Sequence, residues 1–295
     1  MEQVTVNDLR TAIVALADDS WALVLKNLGV DPGPEQEEAI HDLRVAVKKI
    51  RTVFRLVQFI DPVKFHSRKQ IAKLRMLFCA AGVLRELEVS AGMVRIYEAS
   101  QNAVYRRASL QLVAEKRSAQ PLYEMERKAF DVDCFGLPRG LIHEVLGETT
   151  EAHLCRKAEE LYLLRLRQMH GAMPPDYEPE LIHQARIHLK EAVYLMGLLH
   201  DSGHADRLQP GFLDAAKAAA EIAGNWHDRE VFHEWLLIQV RHGAPLHRSS
   251  RHYRPLMQVL HAQTRAQAEV FRKSLMDLEG IHTQAASQVP AESPS

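Results

Sequence analysis

An all-helical fold is what this 295-residue sequence predicts, and three observations carry the expectation. Apolar residues recur at spacings of three and four. No proline interrupts the span between Pro62 and Pro121. No segment shows the period-2 alternation of Val, Ile and Thr, or the Asn-Gly or Asp-Gly turn, that marks a hairpin.

Taken in order, the helices are separated by turn-forming clusters. "GVDPGP" at 29–34 closes the first and "DP" at 61 the second. Further breaks are expected at "FGLPRG" (135–140), "MPPDYEP" (173–179), "SGH" near 203, "QPG" (209–211) and "HGAP" (242–245). Residues 281–295, small and polar, are expected to form an unstructured tail.

Composition narrows the class of protein. With 46% hydrophobic and 25% charged residues, the chain has the make-up of a soluble globular protein. No uninterrupted apolar run approaches the roughly 18 residues that a membrane span needs, and residues 1–10 do not resemble a secretory leader. A cytoplasmic location is the expectation. Cys79, Cys134 and Cys155 fit no C-x-x-C pattern, so they are expected as small buried side chains rather than as a disulfide framework or metal centre.

The formal charge of −1 conceals a sorting along the chain. Residues 1–40 carry eight acids against two bases, a net of −6, and residues 41–85 carry eleven bases against two acids, a net of +9. Within the basic block, His41, Arg44, Lys48, Arg51 and Arg55 fall at steps of three, four, three and four. On a helix those steps place them in one line about 21 Å long. Ile40, Leu43, Val47, Ile50, Phe54 and Val57 form an apolar line beside it, and Val45 and Leu56 flank its other side. Cations so closely spaced repel one another and need counter-charge. It could come from acids elsewhere in the fold, with Glu86, Glu88, Asp228 and Glu230 as candidates, or from a bound polyanion held by Arg and Lys.

A shift of 142 residues lays "IHDLRVAVK" (40–48) on "IHQARIHLK" (182–190). His41 then meets His183, Arg44 meets Arg186 and Lys48 meets Lys190. The same offset pairs Arg75 with Lys217, Gly82 with Gly224 and Glu88 with Glu230. One register kept across separated motifs argues for duplication, with halves at 1–146 and 147–280. Repetition of His, Arg and Lys favours the polyanion over internal neutralisation.

"HDLRVAVKKIR" with "LRELEV", and "HQARIHLKEAVY" with "HDREV", resemble the two copies of the motif of the CHAD family, the conserved histidine α-helical domain. The resemblance covers the chain to about residue 280 and implies two four-helix bundles related by a pseudo-twofold, with a basic cavity between them. It also implies binding of inorganic polyphosphate and association with polyphosphate granules, without known catalysis; no cofactor or metal is expected. Carried over by position, the contact residues are His41, Arg44, Lys48, Arg51, Arg55 and Arg75, then His183, Arg186, Lys190, Tyr194 and Lys217. The second copy departs from the pattern with Glu191, Val193 and His227, which marks it as the weaker binder.

The same residues admit two other readings. Sixteen histidines, with His200, Asp201 and His204 in "HDSGH" and His227, Asp228 and His233 in "NWHDREVFH", suggest a metal-dependent phosphohydrolase of the HD type. Against it, His227-Asp228 falls on Arg85-Glu86 in the repeat, and that pair cannot supply the same ligands. A nucleic-acid binder would explain the charge equally well. Its bases would want aromatic stacking partners, yet the stripe contains only Phe54, on the apolar line.

Overall fold

Why these residues form helices is clearest at their ends. In the computed structural model, which describes residues 8–98, 104–174, 176–242 and 250–286, every described element is helical. Asp8 opens α1 (Leu9–Leu28) by accepting a hydrogen bond from the Thr11 amide at 2.7 Å. The "GVDPGP" turn leads into α2 (Gln36–Ile60). Asp61 ends α2 and folds the chain back, its carboxylate accepting from the Val63 and Lys64 amides at 2.9 Å each. There follow α3 (Ser67–Glu98), α4 (Val104–Ala129), α5 (Gly136–Gly147) and α6 (Glu151–Ala172). Next come α7 (Pro179–Asp201), a 3₁₀ turn (Ala205–Arg207), α8 (Phe212–His242) and α9 (Ser250–Ala286). None of the helices is long and apolar enough to cross a membrane among the described residues.

The breaks at 29–34, 61, 173–179, 203 and 209–211 are present. Gly203 and Gly211 make the last two possible, with φ of 84° and 74°, in the left-handed region. The expected break at 135–140 is displaced: α5 begins at Gly136, and the turn is the preceding 130–135 segment. Pro138 lies in the first turn of α5, where a missing amide hydrogen costs nothing. Of "HGAP", only His242 is described, as the end of α8. The last helix runs to Ala286, into the segment expected to be unstructured, and 287–295 lie outside the described residues.

When 142 is added to the bounds of α1, α2 and α3, they fall within three residues of those of α6, α7 and α8. By contacts the chain divides into two units. One comprises residues 1–13, 149–226 and 265–295, and the other comprises 14–148 and 227–264. The division after Glu148 lies close to the 146/147 boundary expected from the sequence, while 8–13 and 227–264 each group with residues of the other expected half.

In the second of these units, α2 packs on α3 and α5, and α3 on α4. Two groups of packed side chains stand out in its described core. Trp21 stacks on Phe135 at 4.8 Å, and Phe54 meets Phe65 edge-on at 5.3 Å. Leu87 and Val94 of α3, Leu112 of α4, Phe232 and Leu236 of α8 and Tyr253 and Leu260 of α9 form the other. A polar knot borders it, where Glu115 accepts from Trp235 Nε1 at 2.8 Å and Gln239 Nε2 at 2.7 Å. In the first unit, α6 packs along α7, which buries Leu154, Ala158 and Leu161 on one side and Ile182, Leu189 and Leu195 on the other.

Candidate functional site

The apolar line of α2 fixes the orientation of the helix. Ile40, Leu43, Val47, Ile50, Phe54 and Val57 are each at most 1% exposed, so that face is wholly inside. Leu56, on the far flank, is also buried. Between the two apolar edges lies the basic line. His41 is exposed, while Arg44, Lys48, Arg51 and Arg55 are half-buried.

Arg44 is held most closely. Its Nη1 donates to the Phe78 carbonyl at 3.0 Å, and its guanidinium lies 4.4 Å from the centre of the Phe78 ring. Arg51, two turns further along α2, reaches the same ring at 5.5 Å. Gly82 makes room: a Cβ there would lie 2.5 Å from Arg44 Nη1. Glycine at 82 therefore lets the guanidinium lie against α3. Burial draws the Arg44 pKa down, with Glu86 opposing and Arg85 adding to the effect. Glu86 responds in the opposite sense. Desolvation of its carboxyl raises its pKa, although part of the side chain is exposed, and Arg44 offsets this less than desolvation adds.

Acids account for several other cations of the 41–85 block. Lys64 is clasped by Glu144 at 3.0 Å and Glu148 at 2.6 Å, Lys73 by Asp131 at 3.0 Å, and Arg85 lies 3.9 Å from Glu88. Glu88, whose side chain is 2% exposed, also meets Lys116 at 3.4 Å. Burial nonetheless pushes its carboxyl up to about 7; Lys116 opposes the rise and Glu37 adds to it. Internal pairing, one of the two answers open to the sequence, thus serves Lys64, Lys73 and Arg85. Arg75 is exposed on α3.

The corresponding residues of the other unit are arranged differently. His183 and Lys190 are half-buried on α7, but Arg186 is only 9% exposed. Tyr194 lies two turns beyond Arg186, and burial raises its hydroxyl pKa while Arg186 acts in the other direction. Lys217 is exposed, 4.0 Å from a still more exposed Asp214. A Cβ at Gly224 would meet nothing within 4 Å, so the close approach made at Gly82 has no equivalent there. Glu191 turns inward and pairs with Arg165 of α6 at 3.0 Å.

Sequence reasoning missed Phe78, the ring that organises two of the arginines. Its only signal is its place one helical turn before Gly82 on α3. Of the cysteines, Cys155 is buried as expected, whereas Cys134 is half-buried and Cys79 exposed. Within "HDSGH" the two histidines turn to different partners. His200 contacts its neighbour Asp201 at 3.0 Å, both exposed, whereas His204 turns to Glu151 at 3.1 Å.

Together these elements define an all-α protein whose second helix presents a line of cations braced on the third. The chain belongs to the CHAD domain family, whose sequence model matches residues 21–237. Among solved structures it is similar to the crystal structure of the CHAD domain from the plant Ricinus communis, with a TM-score of 0.70 and 16% identity over 92% of each chain. At that identity the likeness speaks for the fold. The comparison with curated proteins gives no match.

Proposed function

We propose that this protein binds inorganic polyphosphate without catalysing its turnover, using the basic line of α2 and its counterpart on α7. The observation that carries the reading is the bracing of Arg44 and Arg51 over one ring, in line with His41, Lys48 and Arg55. Guanidiniums already fixed lose less rotamer freedom on meeting phosphate, and their planar forks suit bidentate contacts. A linear polyanion matches a linear array, because each bound phosphate raises the effective concentration of the next. His183, Arg186, Lys190 and Tyr194 form the second array, and Arg75 and Lys217 are supporting contacts. The common helix bounds at the 142-residue offset support descent of the two halves by duplication. On this reading the protein resides in the cytoplasm, where it accompanies polyphosphate granules.

The test is a parallel titration with long-chain polyphosphate, orthophosphate and DNA at two salt concentrations. Long chains bind most tightly, affinity falls steeply with salt, and Arg44→Ala or Arg51→Glu weakens binding with helical content retained. Displacement of polyphosphate by DNA at equal phosphate concentration would replace this reading with nucleic-acid binding. Affinity indifferent to salt and to both substitutions would remove the basic line from any anion site.

A further inference from the structure

The "HDSGH" motif leaves one residue that the polyanion reading does not use. His204 follows Gly203, whose positive φ turns the chain sharply after α7. This turn carries the imidazole to the start of α6, where Glu151 is the first helical residue and Cys155 lies one turn on, along the same face. His204 Nε2 is 3.1 Å from Glu151 Oε1, and Cys155 Sγ is 3.8 Å from the same oxygen. All three donor atoms lie within 4.8 Å of one another, the one such group among the described residues.

We propose that Glu151, Cys155 and His204 bind a divalent transition metal, with zinc the ion that this donor set fits best. Imidazole, thiolate and carboxylate are the usual zinc ligands, with bonds of about 2.0–2.3 Å. Donors on a tetrahedron of that size stand about 3.3–3.8 Å apart, so two of the three separations are already close to those required. The carboxylate is oriented from behind, because Oε1 also accepts from the Leu9 amide at 2.6 Å. Cys155 is buried, while His204 and Glu151 have side-chain exposures of 25% and 34%. The ion therefore has a route from solvent and keeps a fourth position for water. Binding breaks the Cys155 S–H bond, forms a metal–sulfur bond and releases the proton to solvent. The bound ion ties the α7 turn to α6 and to the first amide of α1.

Cysteine spacing could not reveal this site. Two of its ligands are not cysteines, and His204 lies 53 positions from Glu151.

The experiment uses tag-free full-length protein, stripped with chelator and titrated with Co²⁺ and then Zn²⁺. One equivalent of Co²⁺ gives a thiolate-to-metal charge-transfer band with the intense visible bands of tetrahedral cobalt, and one equivalent of Zn²⁺ bleaches them. Cys155→Ser abolishes the charge-transfer band, whereas Cys79→Ser and Cys134→Ser leave it intact. His204→Gln, in a partly exposed turn, weakens Zn²⁺ binding by at least about tenfold with the helical spectrum unchanged. Zn²⁺ raises the Tm of the wild type by more than that of His204→Gln at equal zinc concentration. Absence of a charge-transfer band in the wild type, or a band that survives Cys155→Ser, overturns the proposal. Should Cys155→Ser fail to fold, equal Zn²⁺ affinity of His204→Gln and wild type overturns it as well.

Discussion

Gly82 and Gly224 lie 142 residues apart, at positions that the sequence offset pairs, yet the structure predicts opposite outcomes when each becomes alanine. In a helix interior alanine is favoured over glycine by about 1 kcal/mol. At position 224 the added methyl meets no atom within 4 Å, so Gly224→Ala stabilises by that amount. At position 82 the methyl would lie 2.5 Å from Arg44 Nη1, and the guanidinium must leave. Departure forfeits the charged bond to the Phe78 carbonyl, about 1.5–3 kcal/mol, and the ring contact, about 0.5–1 kcal/mol. Since Arg44 is half-exposed and can rebind water, the lower ends apply, about 2 kcal/mol lost against about 1 gained. Gly82→Ala is thus about 1 kcal/mol less stable than wild type and about 2 kcal/mol less stable than Gly224→Ala. Urea denaturation at unchanged m measures the difference, and polyphosphate titration of the same samples adds a second readout. Gly82→Ala binds more weakly; Gly224→Ala binds as the wild type does. Equal stabilisation by both substitutions, with binding unaltered, would show that the Arg44 placement contributes neither to stability nor to recognition.

Two further expectations concern buried charge. Because the Glu88 carboxyl titrates near 7 in the fold against an ordinary 4.5, the native state holds the extra proton between those values. The stabilisation is complete below the ordinary value and is lost as pH rises through about 7, to a total of about 3 kcal/mol. Glu88→Gln should flatten the stability profile over that window, and an unchanged slope from pH-dependent denaturation would refute the assignment. Glu191→Ala leaves the Arg165 guanidinium, 16% exposed, without its carboxylate and should cost about 3 kcal/mol, whereas Arg165→Met with Glu191→Leu should be nearly neutral. Thermal denaturation of the single and double variants decides it, and equal losses in both would count against the pair.

Periodicity carried the first helices far. A spacing of three and four is a property of one helix, so the buried line from Ile40 to Val57 and the basic line beside it could be read from the chain alone. Turn chemistry did nearly as well, failing at 135–140, where glycine and proline sit in a first helical turn that tolerates both. What lay beyond reach depends on a second helix. Nothing in the spacing of α2 says that Phe78 will lie under two of its arginines, or that Gly82 leaves the space for one of them. Cys79 follows the same logic: its residue type favours burial, but its position on α3 faces outward.

The expectation of a weaker second array rested in part on Glu191, and the structure gives that residue a different place. Glu191 looks like a negative charge inserted into the basic line, next to Lys190. On a helix, however, adjacent residues stand about 100° apart, and Glu191 faces inward to Arg165 instead. Its carboxylate is therefore committed to α6 and is poorly placed to cancel cations on the outer face. Arg186 provides the better argument. At 9% exposure it has less surface to offer a phosphate than half-buried Arg44, and a Cβ at Gly224 would meet nothing within 4 Å, so Gly224 makes no gap of the kind that Gly82 makes for Arg44. If the second array binds more weakly, the cause is the depth of Arg186 rather than the sign of Glu191, and Glu191→Gln should leave polyphosphate affinity where it was.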